Sequence, residues 1–112
     1  MEVIRYQEIP DAPNPHGVSA KVLHESEHMQ TVVVTLQPGE SLRLHITPVD
    51  AFFFILQGEG IVQIGDEQKK VPVGSMVISP AHIPHRLLND GQEVFRFLVV
   101  KTPRPDRPAK IL

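Results

Sequence analysis

Apolar and polar residues alternate with a period of two over short runs, and each run is cut by Gly, Pro or Asn. That period puts successive side chains on opposite faces of an extended strand. Ser19 to His24 and Met29 to Leu36 read as two such strands, joined through Glu25, Ser26 and Glu27. After a turn at Gln37, Pro38 and Gly39, a strand from about Ser41 sets Leu42, Leu44 and Ile46 on one face and Ser41, Arg43, His45 and Thr47 on the other. The run Ala51 to Gln57 is apolar at alternate and intervening positions alike, which predicts burial on both sides. Further strands are expected at Ile61 to Ile64, Lys69 to Val73, Met76 to Ser79, His85 to Leu88 and Glu93 to Lys101, with a hairpin turn at Gly65 and Asp66. Strands recurring about every 8 to 12 residues, separated by turn residues, are the mark of a sandwich or small barrel.

The ends read differently. Residues 1–17 hold Pro10, Pro13, Pro15 and Gly17, which predicts an extended arm with a short edge strand at Val3 to Tyr6, lying across a sheet or a partner subunit. Residues 102–112 are proline-rich and are expected to be loosely ordered. No interior linker or repeat divides the 112 residues, so a single all-β domain is predicted.

Composition narrows the chemistry. The net charge is −2, with Lys and Arg scattered, and this gives no basic footprint for nucleic acid or an anionic membrane. No apolar run has the length of a signal peptide or a membrane span, so a cytoplasmic location is expected. The chain has no cysteine, which excludes disulfides and thiolate chemistry and leaves nitrogen and oxygen as the only strong metal donors.

Two spacings then stand out: Gly39-x5-His45-x-Thr47-x3-Ala51-x6-Gly58, and Gly74-x5-Pro80-x-His82-x2-His85-x3-Asn89. Together they resemble the paired motifs of the cupin superfamily, and more specifically a small single-domain cupin with a degenerate metal motif. The resemblance implies a double-stranded β-helix, a jelly-roll barrel whose mouth holds the site. It also implies that the positions of His45, Thr47, Ala51 and His85 supply the ligands of a divalent metal, normally three histidines and a glutamate. Only two histidines stand at those positions here. His82, where the pattern has glycine, is a candidate substitute ligand beside His45 and His85, and Asp50 or Gln57 a candidate oxygen donor. The pocket lining expected from strand parity and the resemblance is Arg43, Thr47, Ala51, Phe53, Ile55, Gln57 and Leu87, with the Phe95 and Phe97 face or its alternate.

Two functions follow from the resemblance. One is a metal-dependent enzyme of dioxygenase or isomerase type, holding Mn, Fe, Ni or Zn and acting on a small organic molecule, with Arg43 pairing a carboxylate. The alternative is a metal-free cupin that binds or senses a small ligand. The presence of a third ligand decides between them. His16, His24 and His28 are assigned to the surface. The apolar outer faces of the Leu42 and Phe52 strands are expected to be covered by a second copy, giving a homodimer.

Overall fold

The computed structural model describes residues 1–112. After a single 3-10 turn at Tyr6–Glu8, ten strands follow: β1 (Ser19–Glu25), β2 (Gln30–Leu36), β3 (His45–Ile46), β4 (Asp50–Gln57), β5 (Gly60–Ile64), β6 (Glu67–Val71), β7 (Met76–Ser79), β8 (His85–Leu88), β9 (Phe95–Thr102) and β10 (Lys110–Ile111). They form two five-stranded sheets with orders β1-β2-β9-β4-β7 and β10-β3-β8-β5-β6. Every pairing is antiparallel. This is the jelly roll that the cupin resemblance implies, within the sandwich or small barrel that the turn spacing predicts. No helix is long and apolar enough to cross a membrane.

One core fills the space between the sheets. Leu36, Ile55, Leu87, Phe95 and Phe97 have no exposed surface, and the inward side chains of both sheets join them in one apolar cluster. The Phe97 ring stands edge-on to Phe53 at 6.1 Å, an arrangement favoured by the ring quadrupoles. The face of β9 left open by sequence reading is therefore the Phe95 and Phe97 face.

Parity breaks in the strand that approaches the site. Ser41 bridges Leu88, whereas His45 pairs with His85, so one extra residue is accommodated between them. An inserted residue flips the faces of everything beyond it. Leu42 consequently lies in the core and Arg43 points outward, while His45 and Thr47 turn inward. The expectation that Arg43, His45 and Thr47 share one face fails at this bulge.

Three other expectations are corrected. Val3 to Tyr6 is not a strand; the arm runs along β1 through the Ala12 N–H bonded to the Ala20 carbonyl at 2.7 Å, and Tyr6 lies under the Arg96 guanidinium at 5.2 Å. The C-terminal segment is not loose at its end, because Lys110 and Ile111 pair with Ile46 and His45 and cover the outer edge of β3. Finally, β4 is buried on one face only. Phe54 is 37% exposed beside its cross-strand partner Met76, which is 54% exposed, because nothing in this chain packs on the outer face of their sheet.

Candidate functional site

The site is built where β3, β8, β4 and β7 meet. His45 and His85 are direct cross-strand partners, and Ala51 on β4 is opposite Ser79 on β7. Both imidazoles are almost wholly buried. Their Nε2 atoms lie 3.0 Å apart, with Thr47 Oγ1 3.0 Å from His85 Nε2. His45 Nδ1 lies 2.6 Å from the Arg43 carbonyl, and Ser79 Oγ lies 2.6 Å from His85 Nδ1.

These contacts fix the direction of the hydrogen bonds. A carbonyl only accepts, so His45 Nδ1–H donates to Arg43, and neutral His45 keeps a lone pair on Nε2. His85 Nε2–H then donates to that lone pair, with Thr47 Oγ1 beside it, and the Ser79 hydroxyl donates to His85 Nδ1. The result is one chain, Ser79 to His85 to His45 to the Arg43 carbonyl, with every member satisfied. No buried side-chain nitrogen or oxygen in the protein lacks a partner.

Protonating His45 would set its Nε2–H against the Nε2–H of His85, and protonating His85 would oblige the Ser79 hydroxyl to turn and accept from Nδ1. Burial lowers the His85 pKa to about 3, with the neighbouring His45 and then Lys101 adding to the shift. Burial also lowers His45, offset by its bond to the Arg43 carbonyl and reinforced by Lys101. His16 belongs with them. Its ring centroid is 4.8 Å from that of His45, its Nδ1 accepts the Arg43 N–H at 2.8 Å, and burial followed by His45 lowers its pKa to about 4. Assigning His16 to the surface is thus corrected: the arm folds over the barrel mouth and carries it in. No local signal around Pro15 and Gly17 would have revealed this, since the placement comes from the fold of the arm.

A pH dependence follows from these shifts. A histidine whose folded pKa lies below its unfolded value of about 6.5 binds its proton more readily in the unfolded chain. Stability is therefore fully present above about pH 6.5 and falls as pH drops toward 4. Each such group contributes at most about 1.4 kcal/mol per pH unit in that window, and His16 less because its ring is partly exposed. Urea midpoints should fall from pH 7 to pH 5, and the slope should flatten in a His85→Asn variant. A midpoint independent of pH in the wild type would contradict the buried neutral pair.

Around the chain of hydrogen bonds lies a cavity of about 270 Å3. Its walls include Ala51, Phe53, Val99 and Lys101, closed at the mouth by the Pro13 to His16 segment and by Pro108 and Ala109. No aspartate or glutamate lines it. Of the expected pocket residues, Ala51 and Phe53 face this space and Thr47 borders it through His85. Ile55 and Leu87 lie deeper, in the sealed core. Arg43 and Gln57 are exposed, Gln57 being bonded to Arg96 on the outer surface.

The candidate third ligands are elsewhere. His82 is exposed and occupies a left-handed turn at φ 68, its N–H bonded to the Thr47 carbonyl at 3.0 Å. It fills a backbone position suited to glycine. Asp50 is exposed and accepts the Ala81 N–H at 2.8 Å. No three His, Cys, Asp or Glu side chains are grouped so as to hold a metal ion. The donor set stops at two imidazoles and a neutral hydroxyl, with Ala51 in place of a carboxylate and the Lys101 cation on the adjoining strand. It does not fit a resident transition metal, which needs three or more protein ligands and gains from negative charge.

Two antiparallel sheets closed over one core, with paired imidazoles in the mouth, define a small β-barrel protein with an interior polar site. The cupin domain model Cupin_2 matches residues 32–101, and the chain belongs to that family. Among curated proteins it is 32% identical to the uncharacterised protein YrkC of Bacillus subtilis over 93 residues, which cover 77% of this chain and 50% of YrkC. The chain thus spans about half the length of that relative. Among solved structures, TT1209 from Thermus thermophilus is 28% identical, with a TM-score of 0.81 over 94% of this chain and 100% of that one. The polyketide cyclase RemF from Streptomyces resistomycificus superposes with a TM-score of 0.85 at 16% identity, over 100% of this chain and 85% of that one, a likeness of fold alone.

Proposed function

We propose that this cupin binds a small, largely apolar organic molecule in its barrel mouth without a resident metal. The observation that carries the reading is the pairing of a self-satisfied histidine chain with an apolar-walled cavity that has no acidic residue in its lining. Its volume of about 270 Å3 lies just below the roughly 300 to 1,000 Å3 of ligand pockets, so the occupant is small. His45 and His85, already satisfied by each other and by their neighbours, give the wall two neutral ring surfaces, and Phe53 and Val99 hold the body of the ligand. A second reading, acid-base chemistry on the bound molecule, is supported by two neutral imidazoles in the cavity wall whose Nε2 atoms lie 3.0 Å apart.

The test is ligand binding by NMR on protein treated with EDTA, using a panel of small aliphatic and aromatic compounds. The reading expects saturable shifts of the His45, His85 and Val99 resonances in the metal-free protein. Binding that occurs only after a divalent metal is added would retire it in favour of a metal-dependent cupin.

A further inference from the structure

Lys101 is the one Lys, Arg, Asp or Glu side chain in the cavity wall, and no ion pair holds it. It lies on the inward face of β9 two residues beyond Val99, in step with Phe95 and Phe97, and its cross-strand partner on β4 is Ala51. It is half-buried. Lys69 and Lys70 on the surface form ion pairs with Glu67, Glu59 and Asp90, whereas the Lys101 ammonium forms neither an ion pair nor a hydrogen bond. Burial lowers the Lys101 pKa, and Glu25 opposes that shift by favouring the charged form, without forming an ion pair with it. A half-buried cation with no partner is unfavourable unless an anion joins it.

The neighbourhood agrees with a missing anion. The pKa values of His16, His45 and His85 are lowered first by burial, and the charge of Lys101 adds to the lowering at each of them. No acidic residue lines the cavity to oppose it. Ala51 leaves room directly beside the Lys101 stem, because its side chain ends at Cβ. A divalent cation in this place would be repelled, and a carboxylate attracted.

We infer that Lys101 makes the cavity a site for the anion of a small monocarboxylic acid, its carboxylate seated against the ammonium beside Ala51 and its apolar body against Phe53 and Val99. The inference rests on the reading of the cavity as a ligand site and adds the charge of the ligand to it. Arg43, the cation expected from the sequence to play this part, is exposed and outside the cavity.

Acid and amide pairs of equal shape separate the two claims. Formate, acetate and benzoate are titrated beside formamide, acetamide and benzamide into EDTA-treated protein, following the Ala51 and Val99 methyl resonances. Wild type should bind each acid at least about tenfold more tightly than its amide, the scale of one ion pair away from bulk water. Lys101→Met should reduce that preference to within twofold while amide binding persists; Lys101→Arg should keep it, and Arg43→Ala should leave it unchanged. Equal binding of acids and amides by wild type overturns the assignment of charge and leaves the ligand site standing. A preference that survives in Lys101→Met overturns the role of Lys101. If neither series moves the methyl resonances, the ligand site and the inference fall together.

Discussion

Gly58→Ala should destabilise the barrel by about 3 kcal/mol or more, a large part of the 5 to 15 kcal/mol that holds a domain of this kind together. Two causes act at one residue. Gly58 ends β4 with φ 74, a left-handed conformation that L side chains adopt at a cost of about 1 to 2 kcal/mol. An added Cβ would also fall within the van der Waals envelope of the Val94 carbonyl oxygen, with the Val94 carbonyl carbon 3.2 Å and the Phe95 Cα 3.4 Å away. Those atoms are backbone, held by the β4 and β9 ladder, and cannot swing aside as a side chain can. Gly39 provides the control. It has φ 87 with nothing within 4 Å of an added Cβ, so Gly39→Ala should cost only the conformational term. Urea denaturation of both variants at pH 7.5 separates the two contributions, and equal losses would show that the Val94 contact is relieved without strain.

Gly58 also illustrates how much of the architecture was legible in the residues. The positions of glycine and proline mark almost every strand end, because that signal is local, whereas β4 is apolar on both faces and its inward set of Ala51, Phe53 and Ile55 came from strand parity read together with the cupin resemblance. The site was legible only in part. His45 and His85 follow from the motif frame, since matched strand ends bring them together in any register that satisfies it. Arg43 was misplaced because one inserted residue between Ser41 and His45 reverses parity, and nothing in Leu42 to Leu44 marks a bulge. His16 was missed because its place depends on how a long arm folds back. Lys101 is a different case. Extending the inward face of Phe95 and Phe97 by one step of two residues reaches Val99, and by one more reaches Lys101, so the period of two was sufficient to find it. Burial of both faces of the Ala51 to Gln57 strand was expected, and Phe54 is exposed, because an apolar strand sequence does not reveal whether a second layer of the same chain covers its outer face.

The largest functional change expected is the creation of a metal site by three substitutions, Thr47→His, Ala51→Glu and Lys101→Met. The two imidazole Nε2 atoms already lie 3.0 Å apart, and two nitrogens each about 2.0 to 2.1 Å from one metal at neighbouring coordination positions are separated by about that distance. The Ser79 hydroxyl can turn to accept from His85 Nδ1, releasing the His85 Nε2 lone pair, and the Arg43 carbonyl already holds His45 in the tautomer that ligates through Nε2. The native chain therefore lacks donors and charge, not geometry. The triple variant supplies four ligands and removes the cation, and should bind Zn or Ni at least about 100-fold more tightly than wild type, on the order of 3 kcal/mol. Ala51→Glu alone should gain much less, because its carboxylate faces Lys101 across the β4 and β9 pairing and neutralises that ammonium first. Calorimetric titration of EDTA-treated proteins measures the affinities, and the metal-dependent rise in Tm gives a second readout, since an ion that binds only the folded chain stabilises it. Tight binding by wild type would mean that two imidazoles and Thr47 suffice. A triple variant that folds and gains nothing would place the obstacle in the shape of the cavity rather than in its donors.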